Sequence, residues 1–310
     1  MARLLLITPA RDEAPYLANT IRAVAAQTRR PDLWLVVDDG STDDTPKILK
    51  SLAAKVPFMR VLQGPAQESD PGADRLTLAA EARAFNAALA TVELAEFTHV
   101  GKLDADVELS PTYFEQLLER FEAEPELGVA GGVLLERSGK EWQPTKVPAH
   151  HVRGALKVYS RECFEAIGGI EERLGWDTID ETYARMHGYA TRSLAEITAR
   201  HHRPVATRGG TLRGRARHGQ CAYILRYGAW WVTLRSFKVA LSRPFGLSGG
   251  AFLYGYARSA IRGEDRVEDE EYRRFVAREL RSRARGSKDL QPPNLNPAAA
   301  TKVPTFFVRS

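Results

Sequence analysis

The stretch Leu-Trp-Leu-Val-Val-Asp-Asp-Gly-Ser occupies residues 33–41 and joins an apolar run to two carboxylates and a glycine. The run has the length of a buried strand, and Gly40-Ser41 favours a turn directly after it. In open parallel sheets, ligands bind beyond the carboxyl ends of the strands, so Asp39 is placed to accept a hydrogen bond from a nucleobase or a ribose. An acidic turn that caps a following helix would explain the same residues without any ligand.

Strand and helix patterns alternate on both sides of this stretch. The first half predicts strands at 4–8, 33–37, 58–62, 97–103 and 128–134, and helices at 14–27, 45–54, 76–89 and 111–122. The second half is less regular and predicts strands at 153–159 and 191–197 and helices at 161–167 and 178–188. Alternation of this kind predicts an α/β fold with a mostly parallel central sheet flanked by helices.

Length and composition suit a packed domain with an appendage, since 44% of the 310 residues are hydrophobic. We expect a catalytic α/β domain over residues 1–200, a basic and mostly helical extension over 201–285, and a mobile tail over 286–310. The two cysteines are far apart and lack metal-ligand spacing. The apolar run at the start is too short for a signal peptide, and no run approaches the roughly 20 residues of a membrane span. We therefore expect a cytoplasmic protein.

Charge is distributed unevenly along the chain. Residues 197–263 contain no aspartate or glutamate but hold eleven arginines and Lys238. This asymmetry predicts an anionic partner: a diphosphate, an anionic lipid surface or a nucleic acid. Residues 223–243 mix aromatic and basic side chains, which suits an interfacial helix on anionic lipid. A helix packed on the catalytic domain, with its arginines exposed, would show the same pattern.

A second acidic cluster, Leu103-Asp104-Ala105-Asp106, also follows an apolar strand. In extended backbone, residues two apart point to the same side, so the two carboxylates face the same way. Like charges this close require a cation or a shared proton. Hard oxygen ligands suit Mg²⁺ or Mn²⁺, which would bind substrate phosphates through their remaining positions. An exposed acidic turn is the alternative.

The third acidic cluster is Gly175-Trp176-Asp177-Thr178-Ile179-Asp180-Glu181. Asp177 lies where a helix is predicted to begin, and Asp180 and Glu181 lie one turn later. Acidic residues in a first helical turn are favoured by capping and by the helix dipole, which explains at least one of the three. The functional interpretation makes one of them a general base.

The order of these motifs resembles family 2 glycosyltransferases. The segments Thr8-Pro9-Ala10-Arg11-Asp12-Glu13, Gln27-Thr28 and Val37-Asp38-Asp39-Gly40-Ser41-Thr42-Asp43 are similar to the N-terminal signature of that family. Asp104-Ala105-Asp106 resembles its metal-binding Asp-x-Asp motif. The resemblance extends over about residues 4–189. It implies a GT-A (Rossmann-like) fold, a nucleoside-diphosphate-sugar donor and inversion at the anomeric carbon.

The resemblance also implies roles for individual residues. A nucleoside pocket would be lined by residues after the first two strands and by a helix that carries Arg83 and Asn86. Asp39 would bind the base, most often uracil, Asp104 would face the ribose or diphosphate, and Asp106 would hold Mn²⁺ or Mg²⁺. The complete nucleotide-binding set expected from the resemblance is Pro9, Ala10, Asp12, Glu13, Asp39, Arg83 and Asp104.

The general base of this family is usually the aspartate of an acidic pair that precedes a helix ending in glycine and an aromatic residue. Counting back from Gly188-Tyr189 places Asp177 at that position, with Trp176 where an acidic residue is usual. If the alignment slips by one helical turn, Asp180 takes the role. His201 or His202 would complete the metal site or contact the diphosphate, while a surface basic cluster is the alternative.

These expectations define an inverting, metal-dependent and hexosyltransferase-like enzyme. Asp177 would take a proton from an acceptor hydroxyl as its oxygen attacks the sugar. We expect a UDP-sugar donor, a glycan or lipid-linked acceptor, and a role in bacterial-type surface polysaccharide or glycolipid synthesis. Peripheral attachment to an anionic inner membrane face is part of the expectation, and nucleic acid is not an expected partner. The alternatives are a nucleic-acid-binding protein that uses the basic region, a nucleotidyltransferase and a non-catalytic family member.

Overall fold

The computed structural model describes residues 2–65, 79–203 and 210–285, in which nine strands form one sheet. The strands are β1 (Leu4–Ala10), β2 (Leu33–Asp38), β3 (Met59–Gln63), β4 (His99–Leu103), β5 (Val107–Leu109), β6 (Leu127–Ser138), β7 (Glu141–Pro144), β8 (Leu156–Ser160) and β9 (Ala190–His201). Six helices accompany them: α1 (Leu17–Ala25), α2 (Thr45–Ala53), α3 (Ala80–Leu89), α4 (Tyr113–Ala123), α5 (Arg161–Ala166) and α6 (Trp176–Met186).

The strand order is β3-β2-β1-β4-β8-β6-β9-β5, with β7 paired to β6. Strands β3, β2, β1 and β4 run parallel, as do β6 and β9. Strand β8 lies between β4 and β6 and is antiparallel to both. This α/β sheet flanked by helices confirms the predicted fold class, and β8 joins its two parallel groups.

The first two strands are buried because their apolar runs face helices on both sides of the sheet. Trp34 is fully buried, and its indole N–H donates to the Thr8 hydroxyl at 3.0 Å. Helix α1 packs Leu17, Ile21 and Val24 into the same core. The predicted apolar face of this helix is therefore the face that the structure buries.

Several elements differ from the sequence prediction in extent. Strand β9 continues to His201, beyond the predicted end at residue 197, because its polar end pairs with β5 and β6. Strands β5 and β7 were not predicted, since three and four residues carry too little periodicity. The start of the helix predicted at residues 76–89 lies outside the described residues, and α3 begins at Ala80.

A second compact unit follows the first, and the chain divides after Arg203. Its described part, residues 210–285, contains α7 (Thr211–Ile224), α8 (Ala229–Ala240), α9 (Leu247–Arg262) and α10 (Glu270–Ala284). Residues 223–243 are not one helix, because the backbone of Arg226 is left-handed and α8 begins only after Gly228. The predicted tail over 286–310 lies outside the described residues. Among those that are described, no helix has the length and apolarity to cross a membrane.

Candidate active site

The carboxyl ends of β1 and β2 lie side by side, which places the first acidic cluster at one edge of the sheet. Pro9 pairs with Val37 and Ala10 with Asp38 in the β1–β2 register. The Asp39 N–H donates to the Ala10 carbonyl at 2.9 Å. Strand β4 runs parallel to β1 on its other side, so the residues that follow β4 reach the same edge.

Asp39 is buried against the residue that follows β3. A Cβ added to Gly64 would lie 2.8 Å from both the Cα and the Oδ1 of Asp39. The Arg11 guanidinium donates to the Asp39 carbonyl at 3.1 Å. Gly64 is therefore required for the close approach of β3 to the Asp39 carboxylate, a constraint that the sequence alone did not show.

Asp12 and Glu13, which follow β1, form hydrogen bonds with residues that follow β2. The Asp12 carboxylate accepts hydrogen bonds from the Thr42 N–H at 2.7 Å and the Thr42 hydroxyl at 3.1 Å. The Glu13 N–H donates to the Thr45 hydroxyl at 2.8 Å, and its buried carboxylate receives Arg203 in two bonds of 2.8 and 2.7 Å. Bidentate pairs of this kind fix geometry, so the two residues shape the edge near Asp39.

Asp104 lies beside a buried lysine. The Lys102 ammonium donates to Asp104 Oδ1 at 2.5 Å, to Glu81 at 3.3 Å and to the Gly154 carbonyl at 2.9 Å. Burial raises the pKa of Asp104 to about 6, repulsion from Glu81 and Asp106 adds to this, and Lys102 opposes it. The Asp104 side chain is 27% exposed, so it is not fully closed off from a ligand.

Asp106 is paired with residues from the end of β9. His201 Nε2 lies 3.4 Å from one of its carboxylate oxygens, and Arg203 Nε lies 4.0 Å from the other. Burial alone would raise the pKa of Asp106, but the hydrogen bond from His201 and the charge of Arg203 outweigh it and hold the pKa below its usual range. His202 instead contacts Glu108 at 2.8 Å. The structure thus brings the imidazole of His201 to the Asp106 carboxylate, whereas His202 contacts Asp106 through its backbone N–H, which donates to the Asp106 carbonyl at 3.0 Å.

The donors at this edge could hold a divalent cation only if a substrate supplied further ligands. The described ranges contain no group of three or more His, Cys, Asp or Glu side chains arranged as a complete metal site. Asp106 and His201 provide an oxygen and a nitrogen, and Asp104 lies two residues before Asp106 with a partly exposed side chain. The other ring nitrogen of His201 lies 3.5 Å from Glu136, a typical outer partner of a metal-binding imidazole. Phosphate oxygens would have to supply the remaining ligands.

Asp177 lies in the first turn of α6, next to the segment that Asp104 also contacts. A Cβ added to Gly154 would lie 3.0 Å from Asp177 Cβ and 3.3 Å from its Oδ2. The Asp104 N–H donates to the Ala155 carbonyl at 2.8 Å. Asp177 and Asp104 therefore flank the same short segment, and the side chain of Asp177 is only partly buried.

Asp180 and Glu181 are enclosed by cationic and hydroxyl partners. Asp180 is 2% exposed and accepts from Lys157 at 2.9 Å and from the Tyr159 hydroxyl at 2.5 Å. Glu181 accepts from the Val152 N–H at 2.6 Å and faces His151 at 3.0 Å. Burial would raise the pKa of Glu181, but the charges of Lys157 and His151 outweigh it and lower the value to about 2. Asp180 has no exposed side to offer an acceptor, whereas Asp177 does.

Trp176 contacts the buried lysines near Asp104 and Asp180 and also Glu81. The Lys102 and Lys157 ammonium groups lie 5.1 and 5.5 Å from its rings, and its indole N–H donates to Glu81 at 3.1 Å. Sequence reasoning missed Glu81, Lys102 and Lys157. The available signal was a lysine inside each of two otherwise apolar strands, β4 and β8.

Arg83 is directed elsewhere in the described structure. Its Nε lies 3.9 Å from Glu172, and Asn86 donates to Glu172 at 3.1 Å and to the Ile170 carbonyl at 2.9 Å. These contacts hold α3 against the segment before α6. The structure therefore does not bring Arg83 into contact with the acidic residues at the sheet edge.

The comparison with known families agrees with this geometry. The profile of glycosyl transferase family 2 matches residues 5–168, more than half of the chain. The chain belongs to this family. It is a glycosyltransferase, and the region matched contains β1, β2 and the Asp104-Ala105-Asp106 motif. No curated protein matches the chain at a significant level of sequence similarity.

Solved structures support the GT-A fold of this glycosyltransferase. The mannosyltransferase PcManGT from Pyrobaculum calidifontis, in complex with GDP-Man and Mn²⁺, is 18% identical, with a TM-score of 0.55 over 90% of this chain and 79% of that one. S. aureus TarS 1–349 in complex with UDP-GlcNAc is 12% identical, with a TM-score of 0.51 over 90% and 81%. GalNAc-T7 with UDP, GalNAc and Mn²⁺ is 13% identical, with a TM-score of 0.57 over 92% and 58%.

Proposed function

We propose that this glycosyltransferase moves a sugar from a nucleoside-diphosphate sugar, with UDP as the first nucleotide to test, to an acceptor hydroxyl with inversion. One observation carries the proposal. The partly exposed carboxylates of Asp177 and Asp104 flank the segment at Gly154, at the sheet edge that also holds Asp106. The structural neighbours bound to UDP-GlcNAc or GDP-Man support a nucleotide-sugar donor.

The proposed chemistry is a single displacement. The Asp177 carboxylate accepts the proton of the acceptor hydroxyl while that oxygen forms a bond to the anomeric carbon of the donor. The bond between this carbon and the diphosphate oxygen breaks, and the nucleoside diphosphate leaves with the electron pair. An α-linked donor then gives a β-linked product.

The other residues bind and orient the donor in this proposal. Asp39 accepts a hydrogen bond from the base, and Asp104 faces the ribose or diphosphate. Asp106, with His201, holds Mn²⁺ or Mg²⁺, which when bound neutralises charge that develops on the leaving diphosphate. Asp12 and Glu13 act through the loops that they fix around Pro9 and Ala10. The neighbours with bound Mn²⁺ support the metal.

The acceptor in this proposal is a glycan or a lipid-linked sugar, as in bacterial-type surface polysaccharide or glycolipid synthesis. The acid-free basic stretch over residues 197–263 supports an anionic surface near the acceptor. A nucleic-acid-binding protein would also use such a stretch, but it leaves the paired carboxylates at the sheet edge without a role.

Calorimetric titration of UDP and of GDP, each with and without Mn²⁺, tests the proposal. We expect UDP binding that depends on Mn²⁺ and that weakens at least about tenfold in Asp106→Ala, since a lost metal ligand or its partner costs that much. Glu165→Ala is the matched control, because it removes an exposed carboxylate from α5 in the same unit. A preference for GDP would change the donor and keep the mechanism. Folded protein that binds neither nucleotide would refute the proposal.

A further inference from the structure

Helix α8 is apolar on the side that faces solvent. Trp230, Leu234, Phe237 and Leu241 follow at steps of four, three and four residues along α8 and its end, which places them on one face. All four are exposed, Phe237 at 70% and Leu241 at 77%. The opposite face of the helix is the one that packs inward, through Val232 and Ser236. A helix in water would normally show polar side chains on its outer face.

Helix α9 repeats this arrangement. Its buried residues include Ser248, Phe252 and Ser259, which share one face. The opposite face exposes large apolar side chains, with Ile261 exposed at 87%. The exposed set on this helix is Leu247, Leu253, Tyr254 and Ile261, and Phe245 in the preceding turn is exposed as well.

The two helices pack directly against each other inside the second unit. A Cβ added to Gly249 of α9 would lie 2.7 Å from the Ser236 carbonyl and 2.8 Å from the Ala240 side chain of α8. Each of the two neighbouring helices therefore keeps its own exposed apolar face, and we call the exposed apolar side chains of α8 and α9 together the apolar patch. Among the described residues, every exposed large hydrophobic side chain lies in the second unit, and most belong to the patch.

The charged residues within α8 and α9 are all basic. Arg235 and Lys238 flank the exposed stripe of α8, and Arg258 and Arg262 lie at the edge of the exposed face of α9; all four are exposed. Neither helix contains an acidic residue. Exposed apolar side chains bordered by basic ones are the signature of a helix that lies in the interface of an anionic bilayer.

We propose that the apolar patch of α8 and α9 docks this glycosyltransferase onto an anionic membrane surface. The aromatic and aliphatic side chains enter the boundary between headgroups and acyl chains, and the flanking arginines and Lys238 bind lipid phosphates. Both helices are too short to span a bilayer, which needs about 20 residues, so the attachment is peripheral. The proposal does not depend on the sugar-transfer chemistry, because no residue of the patch lies within residues 2–203.

Charge complementarity favours a membrane over a second copy of the chain. In a two-fold symmetric dimer the patch would meet itself, so the basic borders of both copies would face each other without any carboxylate from α8 or α9. A nucleic acid would bind the basic borders, but its charged phosphates would then contact the apolar centre of the patch. An anionic bilayer matches both the basic border and the apolar centre.

Vesicle co-sedimentation of the full chain tests this proposal. We expect binding to vesicles with about 30% phosphatidylglycerol in phosphatidylcholine, and much weaker binding to pure phosphatidylcholine. The variant Leu234→Ser/Phe237→Ser/Leu241→Ser, altered only at exposed positions, is expected to lose binding. The variant Arg235→Gln/Lys238→Gln/Arg258→Gln should bind the anionic vesicles about a hundredfold less tightly, since each basic residue near the surface contributes about fivefold.

The matched control is Lys50→Gln/Lys55→Gln/Arg60→Gln, which removes the same charge from exposed positions of the first unit and should bind like the wild type. Circular dichroism shows that each variant is folded. Equal sedimentation of the wild type and the Leu234/Phe237/Leu241 variant would overturn the proposal. Concentration-dependent dimerisation that this variant abolishes, without vesicle binding by the wild type, would overturn it in favour of a second copy. UDP calorimetry on the same variants reports separately on the sugar-transfer proposal.

Discussion

Asp177 and Asp180 are three residues apart on one helix, and this spacing brings both to similar sides of the first turns of α6. Only their surroundings distinguish them. Asp177 borders Gly154 and is partly exposed, whereas Asp180 is enclosed by Lys157 and Tyr159. A general base must reach the acceptor proton, so its exposure is the reason that we propose Asp177, and not Asp180, for the role.

Replacing Asp177 with asparagine tests this assignment at the level of one atom. We expect Asp177→Asn to lower the rate of UDP release from its UDP-sugar by about a thousandfold, the usual range for a lost general base. UDP affinity should stay near the wild-type value, because Asp177 does not bind the nucleotide in the proposed site. The rate is measured with water and with added glycans as acceptors. Wild-type rates in Asp177→Asn would exclude Asp177 as the base, and Glu165→Gln is the control for lost charge.

Protonation of the buried Glu181 carboxylate is expected to destabilise the folded protein in acid. Its folded-state pKa of about 2 lies below the ordinary value of 4.5, so its contribution to stability is complete above pH 4.5 and is lost as the pH falls toward 2. Between pH 5 and pH 3 we expect the wild type to lose about 2 kcal/mol from this group alone. Urea unfolding at several pH values should show a correspondingly shallower decline in Glu181→Gln. Parallel pH profiles for the two proteins would contradict the prediction.

At the level of elements, α6 is positioned by two antiparallel neighbours, β4 and β8. Their register makes Lys102 and Lys157 direct cross-strand partners, and both ammonium groups face Trp176. Lys157 also donates to the Asp177 carbonyl at 2.5 Å. The strand pair thereby ties the beginning of α6 to the strand that precedes Asp104.

Helices α7 and α9 approach so closely that glycine is required at their contact. A Cβ added to Gly255 would lie 1.8 Å from the Ala216 carbonyl, whereas a Cβ added to Gly250 on the same helix meets nothing within 4 Å. Alanine favours a helix over glycine by about 1 kcal/mol, so Gly250→Ala should stabilise α9. Gly255→Ala should destabilise the pair by about 1–3 kcal/mol because the helices must separate.

Hydrogen exchange of peptides from α7 and α9 measures both changes separately from the first unit. Faster exchange in Gly255→Ala and unchanged or slower exchange in Gly250→Ala are expected. Equal protection in the two variants would show that the close helix contact does not limit the stability of the second unit.

At the level of the whole molecule, the residues of the proposed active site and the exposed apolar side chains lie in different parts of the chain. The acidic residues of the proposed site all lie within residues 2–203, and the apolar patch lies within residues 210–285. This separation allows nucleotide binding and membrane binding to be altered independently by mutation. The two sets of variants therefore test the two proposals without interfering with each other.

The sequence by itself determined the fold class, the family and the positions of the acidic clusters, because each depends on local pattern. Apolar runs of strand length ended at Asp39 and Asp104, and the ends of parallel strands meet at one edge whatever the distant residues are. The basic character of the second unit was equally visible as a run of residues without acids.

Only the tertiary structure determined which residues of the acidic clusters contact residues from distant strands. His201 contacts Asp106 because β9 pairs with β5, nearly a hundred residues away in the chain, and no local pattern encodes that pairing. Asp180 is buried, whereas Asp177 is partly exposed, because β8 enters the sheet between β4 and β6 and carries Lys157 to Asp180. The outward apolar faces of α8 and α9 became visible only once their packing showed which side of each helix was already buried. Local sequence pattern specifies the strands and helices. Contacts between distant strands and helices determine which of their side chains are buried and which lie together in the proposed site.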